Sequence, residues 1–232
     1  MNKEDIFLLT QFCRERLDFE KFELSSEYGY SSVPLCVIDA IFSIGVRYSS
    51  VQNTVTKFCK FFDVSKFSDG KIPDPAQQLS TTNFLKLYDE NGVEGMTEQV
   101  YRNRQRTSSR NGILKSEAVF RFSQVLAEYG VEYLQDVEKI RGNINFENEI
   151  TKIPGQRSGI SLRYFYMLAG SEDFIKPDRM INRFVFNATG KSFGIEETTK
   201  LLIETCKELA KEYPGLKPRS LDNLIWQFQR LL

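Results

Sequence analysis

The sequence predicts an all-α fold, and three observations support this prediction. Apolar residues recur at intervals of three and four along most of the chain, the spacing that places them on one face of a helix. No segment shows the sustained alternation of apolar and polar residues, bounded by hairpin turns, that is typical of strands. The 232 residues are 41% hydrophobic and 13% aromatic, which is enough for a substantial core.

The predicted helices follow one another along the chain with short connections. The first contains residues 6–13, and Pro34 opens a longer one, because the fixed φ of proline suits the first helical turn. Residues 35–62 are so apolar that we expect them at the centre of the core, whereas residues 63–76 form a loop. Further helices are predicted over residues 80–88 (ended by Asn91-Gly92), 113–129, 158–168, from Pro177 onward, 196–212 and 221–232.

The composition excludes several classes of function. Histidine is absent, which removes imidazole bases, Ser-His-Asp and Cys-His catalysis and His-ligated zinc. We expect neither a metal nor an organic cofactor. Since the sequence shows no spanning segment and no signal peptide, we also expect a cytoplasmic location and no membrane partner. The cysteines are too far apart for a Cys-x-x-Cys clamp, and their apolar neighbours predict buried thiols: Cys13, Cys36, Cys59 and Cys206.

The charges are unevenly distributed although they sum to zero, with 31 basic and 31 acidic residues. Residues 1–40 are rich in acids, whereas the charged residues of segment 101–116 are all basic. Basic side chains and hydroxyl groups on one loop suit contacts to DNA phosphates, and a solvated arginine face is the alternative. The arginines predicted to contact DNA here are Arg102, Arg104, Arg106 and Arg110.

A Pro-Gly turn stands directly between two short predicted helices, at Pro154-Gly155. Such a helix–hairpin–helix exposes backbone N–H groups at a helix N-terminus, where a DNA phosphate is well satisfied. Glycines there allow a phosphate to approach the backbone closely. An ordinary turn between two core helices is the alternative. The residues predicted to contact DNA are Gly155, Gln156, Arg157, Ser158 and Gly159.

An acid follows a proline at the predicted start of the next helix. Pro177 at the first helical position places Asp178 in the first turn, where the helix dipole and free N–H groups favour an anion. A fixed carboxylate can stabilise an oxocarbenium-like sugar and orient water toward it, which is the electrostatic requirement of N-glycosidic bond cleavage. A simple N-terminal helix acid is the alternative.

The hairpin and the aspartate together resemble the helix-hairpin-helix-GPD superfamily of DNA glycosylases. The resemblance is clear over residues 153–184 and weaker over residues 33–51 and 106–119. It implies a two-lobed helical fold with a DNA-binding cleft. One lobe would be a helical barrel of residues 34–165 with the hairpin, and the other would combine residues 1–33 and 166–232. It also implies that Asp178 is catalytic and that double-stranded DNA is the partner of what we expect to be a monomer.

The sequence departs from the family pattern in three places. Arg157 stands where the usual hairpin has a second glycine, and Arg47 and Tyr48 stand where the family has a glutamine that wedges into DNA. Family members that also cut the strand carry a lysine where this chain has Gly159, so the resemblance implies an enzyme without a Schiff-base nucleophile. Lys176, close to Asp178 in sequence, is the alternative amine, although helix geometry points it elsewhere. Family hairpins often hold a monovalent cation, which the resemblance allows here. No cysteine cluster follows, so the iron–sulfur branch is excluded.

Aromatic residues flanking the first core helix are candidates for a base pocket. Tyr28, Tyr30 and Tyr48 could stack on an extruded base, or they could pack in the core. Asp39, inside an apolar run, is either a buried acid bonded to a neighbouring element or a second pocket acid.

These observations favour a monofunctional DNA glycosylase that leaves an abasic site. Its substrate could be an alkylated purine, a mismatched base, or a hypermodified base such as the glucosylated cytosine of phage DNA, in DNA repair or antiviral defence. The rivals are a non-catalytic DNA-binding module that retains the glycosylase fold and an all-α protein-interaction domain.

Overall fold

The protein is all-α, as predicted, in a computed structural model that describes residues 2–21, 29–69 and 71–232. Within these ranges no strand forms beyond two isolated bridges, Tyr30 with Phe67 and Arg106 with Leu114. None of the helices described is long and apolar enough to cross a membrane. The α-helices are α1 (Lys3–Arg16), α2 (Val33–Phe42), α3 (Tyr48–Phe62), α4 (Thr81–Gly95), α5 (Lys115–Glu128), α6 (Ile144–Lys152), α7 (Ile160–Leu168), α8 (Arg179–Thr189), α9 (Ile195–Leu209) and α10 (Pro218–Arg230). Three 3-10 segments cover Phe19–Lys21, Pro75–Gln77 and Leu134–Ile140, and a π-helical segment covers Met96–Tyr101.

The chain divides into two compact units. One, here called the hairpin unit, comprises residues 26–169 and contains α2 to α7. The other, here called the aspartate unit, comprises residues 1–25 and 170–232 and contains α1 and α8 to α10. The sequence placed the boundaries at residues 33/34 and 165/166.

The hairpin unit is built around α2. All ten residues of this helix are buried, because it packs against α3, α5 and α7. Aromatic rings fill the space beside it, with the ring centroids of Phe42 and Tyr101 5.0 Å apart and those of Phe58 and Phe84 5.5 Å apart. Each large apolar side chain buried in this way contributes roughly 1.5–3 kcal/mol. The α2 helix is therefore the centre of this core.

The apolar segment 35–62 forms two helices separated by residues 43–47. Gly45 adopts a positive φ of 68° in this break, a conformation that glycine accepts without steric cost. The second helix, α3, buries Val51, Val55 and Phe58 and leaves a polar face exposed, including Lys57. The break therefore turns one predicted segment into a buried helix and an amphipathic one.

The helix predicted to end at Asn91-Gly92 continues beyond it. Gly92 has φ 67° and ψ 164°, which kinks α4 without ending it. The chain then runs to Gly95 and directly into the π-helical segment. Glycine acts here as a hinge within a continuous helical path rather than as a stop.

The aspartate unit has its own core between four helices. The α1 helix packs on α8 and α9, and α10 packs on the same two helices. Two long-range ion pairs fasten α1, one between Asp5 and Lys191 (2.7 Å) and one between Arg14 and Glu212. Each of the four cysteines is buried, as predicted, and none forms a disulfide. The described members of this core include Leu9, Cys13, Ile181, Phe184, Leu202, Cys206, Leu221 and Ile225.

Candidate functional site

The predicted turn between two helices is present in the hairpin unit. It spans residues 153–159, between the end of α6 and the start of α7. Gly155 has φ 90° and Gly159 has φ 69°, which side chains other than glycine rarely adopt. Backbone bonds close the turn, from Gln156 N–H to Ile153 O and from Gly159 N–H to Gln156 O, each 2.9 Å. Both glycines are thus required by the geometry of the turn itself.

The side chains of the turn point in different directions. Gln156 is only 1% exposed, and its Oε1 accepts a hydrogen bond from the Ser161 hydroxyl. The buried side chain of Gln156 is therefore not available to DNA, and only its backbone could make such a contact. Arg157 and Ser158 are exposed, and the Ser158 hydroxyl accepts the N–H of Ile160 at the start of α7 (3.4 Å). The hairpin presents a cation and a helix N-terminus to solvent.

The arginine-rich segment forms a short hairpin-like loop before α5. Thr107 N–H donates to Ile113 O (2.9 Å), and Lys115 N–H donates to Gln105 O (2.8 Å). Arg106 lies in the bridge of this loop and its Nε donates to the carbonyl of Gly112 (2.8 Å). Its neighbour Arg110 is exposed at the tip of the loop. The loop has a fixed backbone and carries two of the predicted arginines.

This arginine loop packs directly on the hairpin turn. A Cβ placed on Gly155 would lie 2.4 Å from Thr107 Cβ and 2.6 Å from its hydroxyl oxygen, closer than real side chains approach. Thr107 therefore fills the space that a side chain at position 155 would need. Two segments predicted separately to contact phosphates are neighbours in the structure, about fifty residues apart in the chain.

A groove of about 740 Å³ lies beside this loop, between α3 and residues 102–105. Its lining includes four cations, Arg47, Lys57, Arg102 and Arg104, and none of the described residues that line it is acidic. Arg104 is already neutralised by ion pairs with two glutamates outside the groove, at positions 94 (2.8 Å) and 98. No such ion pair engages the other three cations within the described ranges. The groove is electrostatically suited to an anion.

A buried lysine connects these segments. Lys115 is 1% exposed, and its Nζ donates to the carbonyls of Phe42 (2.9 Å) and Ile44 (2.7 Å) and to Oε1 of Gln105 (3.0 Å). Burial lowers the pKa of this ammonium group to about 8. Lys115 is one of the basic residues of segment 101–116, and its side chain fastens the end of α2 to the part of that segment that carries the arginines.

Three of the four predicted base-pocket residues form one polar cluster. The Tyr30 hydroxyl donates to Asp39 Oδ2 (2.7 Å), and Gln52 Nε2 donates to the hydroxyls of Tyr48 and Tyr30, the latter at 3.5 Å. Lys66 completes the cluster by donating to the Gln52 side chain. Tyr28 lies outside the described residues.

The members of the cluster differ in their access to solvent. Tyr30 is 2% and Asp39 1% exposed, and burial followed by the charge of Asp39 raises the pKa of the Tyr30 hydroxyl. Tyr48 and Gln52 are half-buried. Tyr48 and Gln52 are therefore the members that are partly open to solvent, whereas Tyr30 and Asp39 are not. Gln52 was findable from the sequence, since it lies one helical turn after Tyr48; nothing in the sequence marks Lys66.

In the aspartate unit, Asp178 occupies the N-cap of α8. Its Oδ1 accepts the N–H groups of Met180 (2.8 Å) and Ile181 (3.2 Å), and the residue is half-buried. The sequence had placed Pro177 at the first helical position and Asp178 in the first turn. The helix instead begins at Arg179, so Asp178 stands just before the first turn. The reason is that an aspartate side chain satisfies the free N–H groups best from the N-cap position.

A second carboxyl group, which sequence reasoning missed, lies close to this cap. Asp222 of α10 is 8% exposed, and its Oδ1 accepts the backbone N–H of Lys176 (2.8 Å). Burial and the charge of Asp178 raise the pKa of Asp222 to about 8, against the lowering effect of that N–H. An acid placed between Leu221 and Leu224 on a helix with a buried apolar face was the available signal.

The described residues contain no group of three or more metal-ligating side chains close enough to hold an ion. The hairpin offers backbone carbonyl oxygens and the Ser158 hydroxyl, which are the kinds of oxygen ligand that a monovalent cation would use.

The fold and these features define an all-α protein with a tight glycine-containing turn between two short helices and a basic groove. The chain belongs to the family described as a domain of unknown function, DUF8548, which it matches over residues 8–230. No curated protein and no solved structure matches the sequence.

Proposed function

We propose that the protein is a monofunctional DNA glycosylase. The hairpin unit would bind the backbone of double-stranded DNA, and Asp178 would support the attack of water on the sugar of an extruded nucleotide. The single observation that carries the proposal is a carboxylate held at the N-cap of α8, the helix that follows α6, the hairpin turn and α7 in the chain. The chain has no histidine that could perform the acid–base work instead.

The chemistry requires a fixed negative charge near the sugar. As the bond between the sugar carbon and the base breaks, its electron pair leaves with the base and positive charge develops on the sugar. A carboxylate that is already oriented stabilises this charge without reorganisation and directs water to the carbon. Two backbone N–H groups on Asp178 Oδ1 provide that orientation.

Several exposed cations of the hairpin unit support binding to the phosphate backbone. Arg157 stands on the hairpin, and Arg106 and Arg110 stand on the loop that packs against it. Arg47 and Arg102 line the groove beside that loop. Contacts of this kind supply affinity that does not depend on base sequence and position the protein on the duplex.

Water is proposed as the nucleophile in preference to an amine, for which Lys176, two residues before Asp178, is the alternative. Strand cleavage by β-elimination proceeds through an imine and needs an amine at the sugar. Gly159 occupies the family's lysine position, and Lys115 is buried with its ammonium group bonded to three oxygen atoms. The product would therefore be an abasic site in an intact strand.

The substrate is proposed as a class. An extruded base would meet Tyr48 and Gln52, an aromatic ring beside an amide that can read the edge of a base. Alkylated purines, mismatched bases and hypermodified bases such as glucosylated cytosine are the candidates, in repair or in defence against foreign DNA.

A screen of base release tests the proposal. Duplexes that carry each candidate base are incubated with enzyme, and the released base is quantified by mass spectrometry. Asp178→Asn should lower the rate at least 100-fold, the loss typical of removing one preorganised electrostatic group. Asp136→Asn is the matched control, because Asp136 also bonds two backbone N–H groups, those of Glu132 and Tyr133. Its rate should stay within a few-fold of wild type.

Two outcomes would contradict the proposal. If Asp178→Asn turned over as fast as the control, Asp178 would be only a helix cap. If no duplex released a base although DNA binding was strong, the non-catalytic DNA-binding module would be favoured.

A further inference from the structure

A backbone turn connects Asp222 to Asp178 in the aspartate unit. Asp222 Oδ1 accepts the N–H of Lys176 at 2.8 Å, and the carbonyl of the same Lys176 accepts the N–H of Asp178 at 2.7 Å. The two bonds lie on opposite sides of one residue. The position of the Asp178 backbone therefore depends on the Asp222 side chain.

The segment on either side of this turn is fastened by other bonds. Arg219 N–H on α10 donates to Glu172 O (3.0 Å), and the Asn182 side chain donates to Pro177 O (3.0 Å). Ile175 is fully buried in the core of the unit. These contacts anchor the ends of the segment, and Asp222 acts at its centre.

We propose that Asp222 is a positioning residue, whose side chain holds the Lys176–Asp178 turn and so fixes where the Asp178 carboxylate stands. The proposal rests on the proposed function of Asp178. Asp222 is nearly inaccessible to solvent, so its proposed role is to act through the turn and not on the substrate.

The charge of Asp222 fits this role. Its pKa is raised to about 8 by burial and by Asp178, while Lys176 and Arg219 oppose the shift. At pH 7 the group is therefore mostly neutral, and its oxygen still accepts the Lys176 N–H. Above about pH 8 a second charge appears beside Asp178, and two adjacent carboxylates repel each other.

The direction of the effect on stability follows from the same shift. The folded pKa of Asp222 lies above the ordinary value of 3.8, so the folded protein binds the proton more tightly. This contribution to stability is fully present below about pH 3.8 and is lost progressively as the pH rises to about 8. The difference in melting temperature between wild type and Asp222→Asn should change over that range.

Two substitutions separate the bond from the charge. Asp222→Asn retains an oxygen acceptor and remains neutral, so base release at pH 7 should stay within a few-fold of wild type. The decline in base release above pH 8 that we expect of wild type should be missing from this variant. Asp222→Leu removes the acceptor, so kcat should fall at least tenfold while the affinity for DNA is unchanged. Asp74→Asn, an exposed aspartate of the hairpin unit, is the control for both.

Nuclear magnetic resonance provides a readout that needs no activity. The amide signals of Met180 and Ile181, which bond Asp178, should shift in Asp222→Leu and stay in place in Asp222→Asn. A carboxyl carbon that titrates near pH 8 should be missing from both variants. Shifted amides in a protein that releases no base would support the positioning role and refute the proposed function.

The proposal would be overturned by unshifted amides and unchanged base release in Asp222→Leu. If that variant does not fold, Asp222→Asn decides: persistence of both the titration near pH 8 and the alkaline decline in rate would refute the role of Asp222.

Discussion

Replacing Gly155 by alanine tests whether the hairpin turn and the arginine loop are packed as described. The new Cβ would lie 2.4 Å from Thr107 Cβ, and the backbone would keep a φ of 90°. The unfavourable φ costs about 1–2 kcal/mol for a residue with a Cβ. Overpacking adds typically 1–3 kcal/mol, so we expect a total loss of about 2–5 kcal/mol in the free energy of unfolding.

Gly159 provides the matched control. It has a positive φ of 69° in the same turn, but a Cβ there would meet nothing within 4 Å. Gly159→Ala should therefore cost only the strain, about 1–2 kcal/mol. Urea denaturation of both variants gives the comparison. The combination of Gly155→Ala with Thr107→Gly should recover about 1–3 kcal/mol relative to the sum of the single losses. Equal losses at the two glycines, or additivity with Thr107→Gly, would refute the packing.

Three further predictions follow from individual contacts. Arg102→Ala should lower the slope of log affinity for DNA against log salt by about 0.9, whereas Arg104→Ala should hardly change it, since two glutamates already neutralise Arg104; equal slopes for both variants would contradict this. Lys115→Met should destabilise the protein by about 2–4 kcal/mol, because it leaves buried carbonyls unpaired. Burial lowers the pKa of Lys115 to about 8, so the unfolded chain binds more protons than the folded protein between pH 8 and 10.5. The free energy of unfolding of wild type minus that of this variant should therefore grow with pH across that range. Denaturant melts at a series of pH values measure this difference, and a difference that shrinks would be the contrary result. Tyr30→Phe should cost about 1–3 kcal/mol by removing the hydroxyl that donates to buried Asp39, and an unchanged urea midpoint would argue against this bond.

Local patterns were sufficient to predict the helical class and the turn between α6 and α7. Helical periodicity reports which face of a segment is buried, and Pro154-Gly155 reports where the chain must turn. Both signals lie within a few residues of the structure that they predict. Boundaries were less certain because caps decide them, as at Asp178, which precedes the helix instead of lying in its first turn.

The candidate site was harder to predict because its members meet through tertiary contacts. Gln156 is buried where Ser161 of α7 bonds it, and Arg104 is neutralised because α4 and the π-helical segment each bring a glutamate to it. Asp222 reaches the Asp178 turn from 44 residues further along the chain. No local pattern reports pairs of this kind, so the sequence suggested the types of residue but not which of them are free to act.

The most direct test of the central claim follows a single end-labelled duplex that carries a base released in the screen. The duplex is incubated with an excess of wild-type enzyme or Asp178→Asn, and each sample is analysed before and after hot alkali. We predict strand breaks only after alkali with wild type and almost none with Asp178→Asn, while borohydride traps no covalent complex. Breaks without alkali, a trapped adduct, or full activity of Asp178→Asn would contradict a monofunctional glycosylase that depends on Asp178.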